Sequence, residues 1–272
     1  MIATHFMRRS FLALSLSLFA ATGCAQDKPA RTDYQPEVGQ SGKDVVWVPT
    51  PQALVDKMLD LAKVTAKDYV IDLGSGDGRT VITAAKRGAR AEGIEYNPDM
   101  VALSQRNAAK EGVGDKAQFV KADLFESDFS QATVITMFLL PQINMKLRPK
   151  ILDMRPGTRV VSNTFTMEDW EADETVVVGG ECTTWCTALF WIVPAKVEGT
   201  WRLPQGELAL KQQFQMLSGS LGPNQISNAR MRGSDISFTA GGVQYSGRVN
   251  GNQMQGTAAG GSGGPWTATK VR

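Results

Sequence analysis

Val70-Ile71-Asp72-Leu73-Gly74-Ser75-Gly76-Asp77-Gly78-Arg79 is the stretch on which the fold turns. A short apolar run ends in an acid, glycines follow at alternate positions, and Thr80 to Arg87 then reads as a helix. Glycines in such a loop let the chain turn tightly and bring its backbone against a ligand. A glycine-rich loop alone is a weak motif, but two acids stand at useful distances from this one. Glu95 ends a second apolar strand, Ala91 to Glu95, where a carboxylate can accept from ribose hydroxyls and disfavours a phosphorylated ribose. Asp123 follows a third strand, Ala117 to Val120, on the side where an adenine would lie.

Outward from the loop, the pattern alternates. Tyr69 to Leu73 is the first strand, and Pro98 to Gly112 is a helix with proline near its start. Ala132 to Leu140 reads as a fourth strand, apolar enough to be buried on both faces. Gln142 to Leu152 reads as helix and Thr158 to Phe165 as a fifth strand, with Glu174 to Val178 and Thr183 to Val193 an antiparallel pair. Upstream, Thr50 and Pro51 suit the N-cap and first position of a helix carrying Leu54, Val55, Met58, Leu59 and Ala62 at helical spacing. Strands alternating with helices predict an α/β fold, a doubly wound, mostly parallel sheet of seven strands.

The ligand class follows from charge. A nicotinamide-binding loop has its third glycine one position later than Gly78, and Asp72 and Asp77 would set negative charge against a pyrophosphate. A cationic sulfonium cofactor with a free amino group tolerates both acids, which points to S-adenosylmethionine.

Here the residues resemble a known family. Asp72-Leu73-Gly74-Ser75-Gly76-Asp77-Gly78 resembles motif I of class I methyltransferases, with Glu95 as the second-strand acid and Asp123 as the adenine-side acid. The resemblance covers roughly residues 45–195. Four segments are similar to the lysine methyltransferases related to the enzyme that modifies the c-subunit of ATP synthase: Trp47-Val48-Pro49-Thr50-Pro51, the DLGSGDGR run from Asp72, Ala132 through Phe138 to Pro141, and Gly157 to Asn163. The resemblance implies S-adenosylmethionine held by Pro49, Thr50, Asp72, Gly74, Ser75, Gly76, Gly78, Glu95 and Asp123. It also implies that Trp47 to Thr50 folds over the cofactor, and that Trp47, Phe138, Leu140 and Pro141 line a channel for the methyl acceptor. Asn163 stands where the family pattern has a histidine. No Asn/Asp-Pro-Pro-Tyr follows the fourth strand, which argues against methylation of nucleic-acid bases.

The first residues form a separate segment. Arg8 and Arg9 precede an eleven-residue apolar run, Ser10 to Ala20, too short to span a bilayer comfortably, and small residues then lead to Cys24. Residues 1–23 thus read as an export signal resembling a bacterial lipobox. Cys24 would be lipidated and anchor the protein to a membrane, with signal-peptidase cleavage near Ala25 as the alternative. The expected location is the periplasm or the membrane surface, with the cytoplasm the competing placement. Residues 24–44, polar and rich in proline and glycine, read as a flexible tether.

Removing Arg8 and Arg9, and no acids, from 29 basic and 27 acidic residues leaves the two signs equal. A neutral chain without a basic run gives no support for nucleic-acid binding. The one histidine, His5, falls in the leader, so the mature chain has no histidine base, no Ser-His-Asp triad and no His-ligated zinc. Cys182 and Cys186 on one extended strand would lie about 13 Å apart, beyond disulfide reach, and read as small residues on one strand face. A disulfide across a local turn is the alternative.

Composition shifts near Glu198. Residues 45–197 are expected to form the catalytic domain and residues 198–272 a small antiparallel β barrel or sandwich, with 256–265 reading as a glycine-rich tail. The functional expectation is a methyltransferase acting on a protein lysine, with a small molecule as the other acceptor class. The competing expectation is an exported binding or interaction module without turnover.

Overall fold

The computed structural model describes residue 1 and residues 34–180, 182–261 and 263–271. The export segment and Cys24 lie outside the described residues. The catalytic half runs α1 (Gln52–Leu61), β1 (Tyr69–Leu73), α2 (Arg79–Lys86), β2 (Arg90–Glu95), α3 (Pro98–Lys110), β3 (Ala117–Lys121), β4 (Val134–Met137), α4 (Pro141–Leu152), β5 (Arg159–Asn163), β6 (Glu174–Val177) and β7 (Thr187–Ile192). The seven strands form one sheet in the order β3-β2-β1-β4-β5-β7-β6, parallel from β3 to β5, with β7 antiparallel to both β5 and β6.

Strand alternation divides the core between the two faces. Val70, Ala91, Val134 and Val161 pack against Leu54 and Val55 of α1, Val81 and Ala84 of α2, and Val101 of α3. Ile71, Leu73, Ile135, Met137 and Val160 face the other way, onto Ile143, Leu147 and Ile151 of α4. The strand order reverses between β1 and its two neighbours, β2 and β4. Helices after adjacent strands there lie on opposite faces and leave a crevice at the carboxyl ends, the usual ligand position in such sheets.

Several local expectations are corrected. Thr50 does not cap α1, which starts after Pro51 without a side-chain cap; Thr50 is buried instead and takes a hydrogen bond from Asn163 Nδ2 at 3.3 Å. The fourth strand is shorter than its apolar run, because Phe138 to Leu140 leave the sheet to enter α4. Cys182 and Cys186 form a disulfide with their Cα atoms 5.8 Å apart, since the chain between them is a compact loop before β7 rather than a strand. Residues 34–44, read as the end of the tether, are hydrogen-bonded into place: Gly39 N–H donates to Trp47 O and Trp47 N–H to Gln40 O.

Beyond residue 198, eight strands close into an antiparallel barrel: β8 (Gly199–Leu203), β9 (Gly206–Gln213), β10 (Met216–Leu221), β11 (Asn224–Arg232), β12 (Asp235–Ala240), β13 (Val243–Asn250), β14 (Gln253–Ala259) and β15 (Gly264–Lys270). The expected tail at 256–265 is therefore the β14–β15 hairpin. Gly256 of this hairpin serves packing: a Cβ there would stand 1.9 Å from Ser246 O and 2.4 Å from Gly247 Cα of the neighbouring strand. Trp201, Phe238, Tyr245 and Trp266 fill the barrel interior, with Phe238 and Tyr245 stacked at 4.7 Å. The barrel joins the catalytic half through Phe214 stacked on Trp170 at 5.9 Å, Gln215 Nε2 donating to Glu171 O at 2.8 Å, and an ion pair between Arg230 and the buried Asp173.

Candidate active site

The cleft at the carboxyl ends of β1, β2 and β4 encloses about 1040 Å³, its open mouth included. Trp47, Pro49, Thr50, Asp72, Gly74, Ser75, Gly76, Glu95, Asp123 and Phe138 all line it. Three of the residues expected there do not: Gly78 packs beneath the loop, Leu140 is exposed, and Pro141 opens α4. Leu139 takes the place expected of Leu140, with Cδ2 only 3.1 Å from where a Cβ on Gly74 would lie.

The loop after β1 is held by backbone bonds. Gly74 and Ser75 both donate to Ile94 O, at 2.9 and 3.1 Å, and Gly76 donates to Glu95 Oε2 at 3.0 Å. Gly76 has φ +54°, and a Cβ there would come within 2.6 Å of Trp47 Nε1. Gly78, at φ +84°, lies under Phe119 and Ser104, each within 2.9 Å of a notional Cβ. The first glycine admits the overlying Trp47 and the second lets α2 start against the sheet. Ser75 turns its hydroxyl toward Gly93, where Oγ is buried without a hydrogen-bond partner among the described residues.

Glu95 also accepts from Asn97 N–H at 2.9 Å, so one carboxylate orders both the glycine loop and the entry to α3. Asp72 is buried and accepts from Thr136 Oγ1 at 2.6 Å. Burial pushes its pKa up to about 7, and nearby Asp77 and Glu95 add to the rise against the opposing Thr136 bond. Asp77 is neutralised by Arg79, Nη2 to Oδ2 2.6 Å, while Arg79 Nη1 donates to Thr50 O at 3.0 Å. Arg79 thus ties the glycine loop to the segment that covers it, a link invisible in sequence because its acceptor is a main-chain carbonyl.

Asp123 stands at the mouth, where Phe125 N–H donates to it and Lys43 pairs with it at 3.0 Å. These contacts, the Phe125 bond foremost, hold its carboxyl below the usual range. Lys43 is pushed up to about 12 by Asp44 and Asp123, and lies 5.3 Å from the Tyr96 ring centroid. On the opposite side, Phe138 stacks on Phe165 at 5.7 Å and meets Trp185 at 5.9 Å. Phe165 and Trp185 carried no signal in the sequence, since β5 and the disulfide loop bring them to Phe138 only in three dimensions.

A cleft whose floor is a glycine loop and whose walls carry Asp72, Glu95 and Asp123 suits a cationic cofactor bearing an amino group and a ribose. Fold and site together define a class I S-adenosylmethionine-dependent methyltransferase. Residues 72–174 match the ANTKMT methyltransferase domain. The chain is 46% identical over 137 residues to a protein-lysine N-methyltransferase of Saccharolobus islandicus, covering 49% of this chain and 85% of that protein. It is 38% identical over 140 residues to the ATP synthase c-subunit lysine N-methyltransferase of Rattus norvegicus, spanning 51% of this chain and 64% of that protein. Among solved structures, an RNA methyltransferase from Salinibacter ruber in complex with S-adenosyl-L-homocysteine aligns with TM-score 0.52 and 47% identity, over 55% of this chain and 96% of that one. The chain belongs to the family of S-adenosylmethionine-dependent methyltransferases that includes the Saccharolobus enzyme.

Proposed function

We propose that this protein methylates the side-chain amine of lysine in a protein acceptor. The observation that carries the reading is the joining of the acidic cofactor cleft, at Phe138, to an aromatic wall open to solvent. The names of the Saccharolobus and rat relatives point the same way. Pro49, Thr50, Asp72, Gly74, Gly76, Glu95 and Asp123 would hold S-adenosylmethionine, which supplies an activated methyl group. The protein's part is to place the acceptor nitrogen about 3 Å from that methyl and to exclude water. Trp47, Leu139 and Phe138 give the cleft its apolar boundary. An amine entering such surroundings loses solvation of its charged form, so its pKa falls and a proton is released to solvent before transfer.

The reading is tested by incubating the purified protein and methyl-labelled S-adenosylmethionine with soluble proteins and, separately, with RNA of the same source. Label recovered as methyl-lysine after protein hydrolysis supports it. Label confined to RNA would overturn it in favour of the activity for which the Salinibacter relative is named.

The proposed location is outside the cytoplasm, with Cys24 lipidated. Arg8-Arg9, the apolar run and the Cys182–Cys186 disulfide support this, because structural disulfides persist in oxidising compartments. Such an enzyme needs S-adenosylmethionine supplied there. Fractionation with mass analysis of the N-terminal peptide tests the placement: an unmodified Met1 in the cytoplasmic fraction would overturn it.

A further inference from the structure

Phe138, Phe165 and Trp185 form a three-ring cluster with centroids 5.2 to 5.9 Å apart, yet none of them belongs to either hydrophobic core of the catalytic half. Phe138 lines the cofactor cleft, Phe165 is partly buried, and Trp185 is 39% exposed. The cluster therefore runs from the reacting end of the cleft out to solvent. Two backbone features hold it there at some cost. Thr164, a β-branched residue at φ +58°, turns Phe165 toward Phe138, and Trp185 itself sits at φ +58° inside the loop closed by Cys182 and Cys186. Non-glycine residues rarely adopt this region, and those that do concentrate at functional sites. A tryptophan raised into solvent on a covalently closed loop is not explained by core packing.

We propose that Trp185 is an acceptor-specificity residue, and that the Cys182–Cys186 disulfide is the device that positions it. With Phe138 and Phe165 it forms an entrance wall along which the cationic amine of the acceptor lysine approaches. The ammonium is attracted to the ring faces outside and gives up its proton inside, while the lysine methylenes pack on the rings. Reduction of the disulfide frees the loop to extend, removes the outer ring of the wall and weakens acceptor capture, without touching Asp72, Glu95 or Asp123. The inference rests on the lysine reading above.

The test uses the purified protein with labelled S-adenosylmethionine and poly-L-lysine as the acceptor probe. Trp185→Ala, Trp185→Phe, the double variant Cys182→Ser/Cys186→Ser and dithiothreitol-treated wild type are compared. S-adenosylmethionine affinity is measured on each by calorimetry. Loss of a ring–cation contact should raise KM for poly-L-lysine about five- to twentyfold in Trp185→Ala. The reduced and double-Ser proteins should follow it, Trp185→Phe should retain most of the wild-type KM, and cofactor affinity should stay within about twofold throughout. An unchanged KM in Trp185→Ala overturns the specificity role, as does a parallel loss of cofactor affinity or a Phe variant as impaired as Ala. An impaired Trp185→Ala beside unaffected reduced and double-Ser proteins overturns the positioning role of the disulfide. A wild type that binds S-adenosylmethionine but leaves poly-L-lysine unmethylated removes the lysine reading itself, and this inference with it.

Discussion

Lys43 Nζ lies 3.0 Å from Asp123 Oδ2, so a residue upstream of the glycine loop occupies an acid at the mouth of the cleft. Lys43 also lies over the Tyr96 and Phe125 rings, which fixes its stem across the mouth. Exposed ion pairs contribute little because water screens them, so this contact is weak enough for a ligand to displace. Lys43→Gln is expected to leave the melting temperature nearly unchanged and to leave S-adenosylmethionine affinity equal or slightly higher. Asp123→Ala should lower that affinity about tenfold, the scale of one charge-assisted hydrogen bond. Calorimetry on the two variants checks the contrast.

Asp72, if it holds the cofactor as proposed, should make cofactor binding depend on pH. Its carboxyl titrates near 7 in the folded protein, against 3.8 without the fold, because burial disfavours the charged form. Folded-state pKa above unfolded means that the folded chain holds the proton more tightly. Stability is therefore highest below about pH 4 as far as this group is concerned, and declines as pH rises toward and through 7. The difference is worth on the order of a few kcal/mol. Asp72→Asn should then melt higher than wild type at pH 8 and about level with it at pH 4. A cationic ligand favours the ionised carboxylate, so wild-type affinity for S-adenosylmethionine should increase from pH 6 to pH 8 while that of Asp72→Asn stays flat and low.

The loop glycines differ in what they tolerate. Gly76→Leu forces a side chain into the Trp47 indole and should abolish cofactor binding in a protein that still folds. Gly78→Ala places a Cβ against Phe119 and Ser104 at a left-handed φ, and should cost roughly 2–4 kcal/mol from strain and overpacking together. Gly112→Ala has an equally left-handed φ of +70° but open space around it, and should cost only about 1 kcal/mol. Chemical denaturation of the three variants checks the order.

Asp173 is 1% exposed and is satisfied by Arg230 of the barrel and by Ile192 N–H at 2.8 Å. Arg230→Ala takes a half-exposed countercharge from that carboxylate and should destabilise the protein by about 1–2 kcal/mol, the scale of a charge-assisted hydrogen bond left unmade. Asp153→Ala, which breaks an exposed pair with Lys196, should cost under about 1 kcal/mol.

Much of this architecture is legible in the sequence because its signals are local. The glycine spacing at 74, 76 and 78, Asp72 and Glu95 at strand ends, and the alternation of apolar runs all act within a few residues of where they are read. Misreadings arise where distant residues decide. Phe138 to Leu140 look like more of the fourth strand, but the chain leaves the sheet there before α4, placing Leu139 in the cleft and leaving Leu140 exposed. Cys182 and Cys186 look too far apart only if the chain is extended. The glycines near 256 look like a tail until Gly256 is seen packed against the Ser246–Gly247 backbone of β13. Lys43 meets Asp123, 80 positions away, and no periodicity announces such a pair.

The central claim is that the crevice between β1, β2 and β4 holds S-adenosylmethionine through its acids. It is tested most directly by calorimetric titration of the wild type, Asp72→Ala and Glu95→Ala with S-adenosylmethionine at pH 8. The account predicts micromolar binding by the wild type and a loss of at least about tenfold in each variant, since each removes a charge-assisted contact. A folded wild type that binds no S-adenosylmethionine, or variants that bind it as tightly as wild type, would contradict it.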